Sequence, residues 1–232
     1  MAATTQIPLP LESRPLDRFE DYVAGPNENV VRALRELLSS AGGFLFIRGP
    51  GGSGKSHLLN AACNFARSHG QKAFYMALGR LPDTAAEGLA GLEEMDLMCI
   101  DDIHHAAGIT VWENSLFHFF NRFRDHHGRL VISSSQALSS LPFQLPDLAS
   151  RLAWGLRLQL EPLDDHGKLE VLRRKASALG IVLPDEVARF LLNRGSRSIV
   201  SLVAGLETIR VAALAGKRKI TLPLARSVLD DS

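Results

Sequence analysis

The sequence is short of cysteine, of aromatic rings and of net charge. Two cysteines in 232 residues give no disulfide framework. Cys63 lies in a helix-like run and Cys99 between Met98 and Ile100, so both read as small buried hydrophobes of a reducing compartment. No run of about 18 apolar residues occurs, which excludes a membrane-spanning helix. No basic-then-apolar segment opens the chain as a secretory signal would, so a cytoplasmic location is expected. A formal net charge of +1 provides no broad basic field, and non-specific nucleic-acid binding needs one. What is present suits a core-forming protein: 46% hydrophobic and 22% charged residues in a length that fits one α/β domain, alone or with a small satellite.

Residues 1–11, MAATTQIPLPL, carry two prolines that forbid a helix, and read as an extended tail. A capped amphipathic helix is expected next, with Asn27 as its cap and Val30, Val31, Leu34, Leu37 and Leu38 at helical spacing. Apolar runs at GFLFIR, KAFYMAL, DLMCIDD, RLVISSS and GLRLQLE read as five strands. Helical segments alternate with them through about residue 161, a pattern that implies a mostly parallel sheet covered on both faces. After Pro162 the pattern turns helical, with segments at about 164–179, 184–193 and 197–215 and a short closing tail, ITLPLARSVLDD. The expected division is an extended tail over 1–15, a nucleotide-binding base over 16–162 and a helical lid over 163–232.

The strongest motif is GPGGSGKS, running Gly49, Pro50, Gly51, Gly52, Ser53, Gly54, Lys55 and Ser56. It fits the phosphate-binding loop in every required place, between an apolar strand and a helix. The glycines let backbone N–H groups converge on phosphate oxygens, and the helix N-terminus adds its dipole. Lys55 would reach the β and γ phosphates and Ser56 would give a hydroxyl to Mg²⁺. His57, next in line, joins this candidate set. Asp101 and Asp102 end an apolar strand, where a carboxylate can hold Mg²⁺. Asp101 is the candidate metal ligand and Asp102 the candidate for polarising water; an ordinary acidic strand exit is the alternative. The pairs His104–His105 and His126–His127 have no second pair at ligand spacing, so zinc is not expected.

Three of these segments together resemble the Hda/DnaA family of AAA+ ATPases, and the resemblance runs over nearly the whole chain. CIDDIH at 99–104 is similar to the family's Walker B strand. LPDLASRLAWG at 145–155 is similar to its arginine-finger segment, and FLLNRGSRSIVSL at 190–202 to its sensor 2 helix. The resemblance implies a five-stranded parallel sheet flanked by helices, followed by a small all-helical lid. It implies ADP or ATP with Mg²⁺ as the bound group, Arg151 as a finger pointed into a neighbour's nucleotide site, and Arg197 as the sensor 2 residue. A local pair of Arg151 with Asp147, four residues earlier, is the alternative for that arginine. The family's acidic sensor 1 residue is replaced by Ser135, which cannot accept with a full charge, so weak or absent intrinsic hydrolysis is expected.

QIPLPL at 6–11 resembles the family's sliding-clamp motif, with Gln6 as a polar anchor and Ile7, Leu9 and Leu11 as apolar ones. The implied partners are DnaA and the DNA polymerase III β sliding clamp, and through the clamp the replisome. Self-association as a homodimer or larger is also open. No room is left after the lid for a three-helix DNA-binding domain, so sequence-specific DNA binding is not expected. An autonomous ATPase, such as a helicase loader or remodelling motor, and a non-catalytic clamp-associated anchor are the competing readings.

Overall fold

The computed structural model describes residues 17–194 and 198–230. These form two compact units. One comprises 17–19, Asn27–Pro50 and Gly54–Glu161; the other comprises Glu20–Pro26, Gly51–Ser53 and the residues from Pro162 on.

In the first unit, α1 (Glu28–Ser39) leads into β1 (Gly43–Arg48), α2 (Lys55–Ser68), β2 (Ala73–Ala77) and β3 (Leu97–Asp101). Then follow α3 (Thr110–Asp125), β4 (Arg129–Ser134), α4 (Pro146–Leu152) and β5 (Leu156–Gln159). All five strands are parallel, in the order β2-β3-β4-β1-β5. Parallel strands must be covered on both faces, and their side chains alternate accordingly. Phe46, Met98, Ile100, Leu130 and Ile132 share one core with Trp112, Phe119 and Phe123 of α3. The alternate residues Ile47, Cys99 and Val131 therefore lie on the opposite face, where α1 packs on β1 and α2 packs on β2, β3 and β4. Every residue of β3 and β4 is buried, whereas β5 is an edge strand and mostly exposed.

Asn27 does not cap α1 with its side chain, contrary to expectation. It is almost fully buried. Its amide gives Nδ2 to Glu161 O at 3.0 Å and takes Glu161 N on Oδ1 at 2.7 Å, pairing with that backbone as a neighbouring strand would. Cys63 on α2 and Cys99 on β3 are free and buried. Burial, and after it the neighbouring Cys63, pushes the Cys99 thiol well up, which leaves it inert as a nucleophile.

The second unit is helical: α5 (Asp165–Ala178), α6 (Asp185–Asn193), α7 (Ile199–Ala215) and α8 (Leu222–Asp230). The closing segment, expected as a tail, is thus a fourth helix. Thr221 starts it, accepting from Ala225 N at 3.0 Å through its carbonyl. Pro223 sits in the first turn, where its missing N–H costs nothing. Ala225 is fully buried in the same core as Leu172, Leu191, Leu202, Leu206 and Ile209, so the segment is held by packing. No helix among the described residues is long and apolar enough to cross a membrane.

Candidate nucleotide site

The C-terminal ends of β1, β4 and β3 lie side by side, where open α/β sheets place their ligands. Gly49 N donates to Ser134 O at 3.1 Å, which fastens the start of the phosphate loop to β4. Gly54 caps α2 with φ 91°, a left-handed conformation that suits glycine. Lys55 is buried, and its ammonium donates to Gly49 O at 2.9 Å and Pro50 O at 3.1 Å. An ammonium has three protons, so these bonds leave one for an anion. Within the second unit, Ser53 Oγ is a buried hydroxyl without a hydrogen-bond partner, and Tyr22 donates to Ser53 O at 3.2 Å. In the first unit, a buried positive charge at a helix N-terminus fits a phosphate group.

Asp101 is 1% exposed. The Tyr75 hydroxyl donates to its Oδ2 at 2.7 Å, and Ser133 Oγ donates to its Oδ1. Burial, with the Asp101 charge second, raises the Tyr75 phenol far above its ordinary range, so it remains a donor; the nearby Ser56 hydroxyl and Arg80 oppose this weakly. Among the described residues no three His, Cys, Asp or Glu side chains form a metal cage. Ser56 and Asp101 instead offer two hard oxygens, the donor set of a cation that completes its shell with phosphate and water.

Asp102 follows with φ 57° and ψ 51°. Such a backbone costs about 1–3 kcal/mol for a non-glycine residue, and it turns Asp102 N onto Ser133 Oγ at 3.0 Å. Burial first, then the Asp101 charge, holds the Asp102 carboxyl above the usual range, with Lys55, His104 and His105 opposing. A raised carboxyl binds its proton more tightly folded than unfolded. Its ionised form therefore costs stability above the raised value, and the cost vanishes as pH falls below the ordinary one. Asp102→Asn is expected to melt higher than wild type near pH 7 and level with it near pH 3.5, below the ordinary aspartate value of about 3.9. Thermal scans at the two pH values check this; a lower melting point at neutral pH would show that the charge is compensated.

Ser135 Oγ lies 3.1 Å from His104 Nε2, and His104 Nδ1 lies 3.9 Å from Asp102 Oδ1. Burial, more than any neighbouring charge, lowers the His104 pKa. A neutral ring with its proton on Nε2 satisfies Ser135. The His57 ring is held by Arg18 O at 2.8 Å and by the Asp17 carboxylate at 3.4 Å, so it anchors the residues before α1. Arg197 and the tail residues Gln6, Ile7, Leu9 and Leu11 lie outside the described residues.

Arg151, on α4, donates through Nη1 to Asn121 Oδ1. Its guanidinium sits 4.6 Å from the centre of the Phe117 ring and 5.7 Å from that of Trp154. Among the described residues it makes no ion pair with Asp147, and its hydrogen bond goes to Asn121 instead. The residue that fixes α4 is Glu113 of α3, which sequence reading missed. This buried carboxylate accepts from Gly108 N at 2.7 Å, Gln144 N at 2.9 Å and Leu145 N at 2.7 Å. A glutamate inside an otherwise apolar helix face was the available signal.

With this geometry in place, residues 14–159 match the family model of the bacterial DnaA ATPase domain, and residues 165–229 match that of the Hda lid domain. The chain belongs to the Hda/DnaA family. It is a P-loop, nucleotide-binding DnaA homologue with the AAA+ fold: a five-stranded parallel sheet flanked by helices, and a separate all-helical lid. Domain III of DnaA from Thermotoga maritima is 28% identical over 97% of this chain and 98% of its own, with a TM-score of 0.81. AMPPCP-bound DnaA from Aquifex aeolicus is 22% identical over 88% of this chain and 68% of its own, with a TM-score of 0.72. The Thermotoga maritima RuvB branch-migration motor shares the fold at 20% identity and a TM-score of 0.65, over 88% of this chain and 68% of its own.

Proposed function

We propose that the chain is a regulator of replication initiation that promotes hydrolysis of ATP held by DnaA. The observation that carries this reading is the join, in one chain, of a DnaA-type ATPase module at 14–159 to an Hda-type lid at 165–229. Its own site takes ADP, or ATP, with Mg²⁺ on Ser56 and Asp101. That nucleotide sets the shape of the protein and is turned over slowly or not at all. Ser135 supports this: its hydroxyl is uncharged and is engaged by His104.

Arg151 is the group offered to DnaA. A guanidinium placed at the transferring phosphoryl group stabilises the charge that spreads over its oxygens. The N-terminal QIPLPL segment tethers the protein to the DNA-loaded sliding clamp and so raises the effective concentration of one ATPase module near the other.

The test is hydrolysis of DnaA-bound ATP with and without loaded clamp. Wild type is expected to accelerate hydrolysis only with the clamp, and Gln6→Ala to lose about 100-fold of that acceleration, the scale of a lost tether. Equal rates for Gln6→Ala and wild type would remove the clamp from the mechanism. No acceleration by wild type under any condition would remove the regulator.

A further inference from the structure

One polar group at the sheet's rim has no part in the reading above. Tyr75 sits in the middle of β2, in register with Cys99 of β3. Asp101 lies two residues beyond Cys99 and so shares its face. Ser133 follows Ile132, the partner of Ile100, and so stands beside Asp101 from the other flank. Two strands thus bring one hydroxyl each to the two oxygens of a single buried carboxylate: Tyr75 to Oδ2 at 2.7 Å and Ser133 to Oδ1. Ser133 is itself fixed, since its Oγ accepts from Asp102 N at 3.0 Å.

The choice of partner is informative. An arginine or lysine beside Asp101 would cancel its charge and compete with a metal ion. A hydroxyl donates one proton and leaves the charge intact. A carboxylate has about four lone-pair sites, and one bond to each oxygen fixes its rotation while leaving a site on each free. Ligating carboxylates are held in this way by outer partners.

We propose that Tyr75 and Ser133 are positioning residues for the divalent cation: they hold Asp101 in the rotation that presents its free lone pairs to magnesium bound with the nucleotide. The inference rests on the reading of Ser56 and Asp101 as magnesium ligands. It does not depend on DnaA, on the clamp or on Arg151.

The experiment uses the full chain with ADP. Mn²⁺ affinity of the ADP complex is read by electron paramagnetic resonance, and the ratio of ADP affinities in Mg²⁺ and in EDTA by calorimetry. Tyr75→Phe and Ser133→Ala are each expected to weaken Mn²⁺ binding by about 10–100-fold, the usual cost of losing an outer partner of a metal ligand, and to lower the Mg²⁺/EDTA ratio. Ser133→Thr, which keeps a hydroxyl, is expected to restore both. If the Phe and Ala variants only melt at lower temperature, with Mn²⁺ affinity and ratio as in wild type, the hydroxyls merely satisfy a buried carboxylate and the proposal is overturned. If wild type with ADP shows neither Mn²⁺ binding nor a Mg²⁺ effect, the magnesium reading of Ser56 and Asp101 fails and the proposal falls with it.

Discussion

Arg151→Ala is expected to cut the hydrolysis of DnaA-bound ATP by about 10³-fold, the low end of what an arginine finger supplies. Its own fold is expected to survive, with a melting temperature within about 8 °C of wild type. One cation–π stack and one neutral hydrogen bond are worth about 1–2 kcal/mol together, and about 1 kcal/mol shifts a chain of this size by 2–4 °C. The surroundings of the side chain suit the task. Phe117 and Trp154 flank the guanidinium and Asn121 binds one of its nitrogens, so much of its rotamer freedom is already lost before a partner arrives. Less ordering remains to be done at docking. Arg151→Lys separates charge from shape, because it keeps the charge and loses the planar fork. It is expected to recover no more than a tenth of the lost rate. Single-turnover hydrolysis of preloaded DnaA is the measurement; a lysine variant with full activity would show that charge alone acts at this position.

Glu113→Ala is expected to be the most damaging single change outside the phosphate loop, at about 3–5 kcal/mol. Three backbone N–H groups end on this carboxylate. Removing one partner of a buried, hydrogen-bonded charge costs about 3–5 kcal/mol as a whole, because the groups left behind are buried without partners. Two of the three donors, Gln144 and Leu145, immediately precede Pro146, the first residue of α4. Loss of the carboxylate therefore frees the start of the helix that carries Arg151. Urea denaturation measures the stability change. The trans-hydrolysis assay, run at a temperature where the variant is folded, is expected to show a rate loss of at least 10-fold. Glu113→Gln keeps one acceptor but faces amide protons against N–H donors, so it is expected to recover less than half of the stability. A folded Glu113→Ala with full trans-activity would show that α4 holds its place without this anchor.

These two residues mark where sequence reading reached and where it stopped. Five parallel strands were legible because apolar runs between glycines, prolines and acidic exits are a local signal. The phosphate loop was legible because its chemistry fixes residue types at fixed spacing. Arg151 was singled out as a candidate finger only through the family resemblance, since nothing local separates a finger from a surface arginine. Glu113 and Tyr75 act across 31 and 26 residues of chain, so their partners are set by strand and helix register. Asn27 misled for the same reason: it carries the local signature of a cap, yet its amide is committed to Glu161, 134 residues away. The closing helix was missed because it is short and has a proline in its first turn, and burial of Ala225 in a core built elsewhere decides it.

The turn at Asp102 gives two adjacent carboxylates different surroundings. Asp101 is held by one hydroxyl from each of two strands, while the left-handed backbone of the next residue turns its N–H onto the Ser133 hydroxyl. This arrangement needs only the amide of position 102. Asparagine or glycine, which tolerate a positive φ, would keep that amide in place, so the hydrogen bond to Ser133 does not require a charged side chain at 102. The orientation of one carboxylate and the charge of the next are thus separate demands on the sequence, one peptide bond apart.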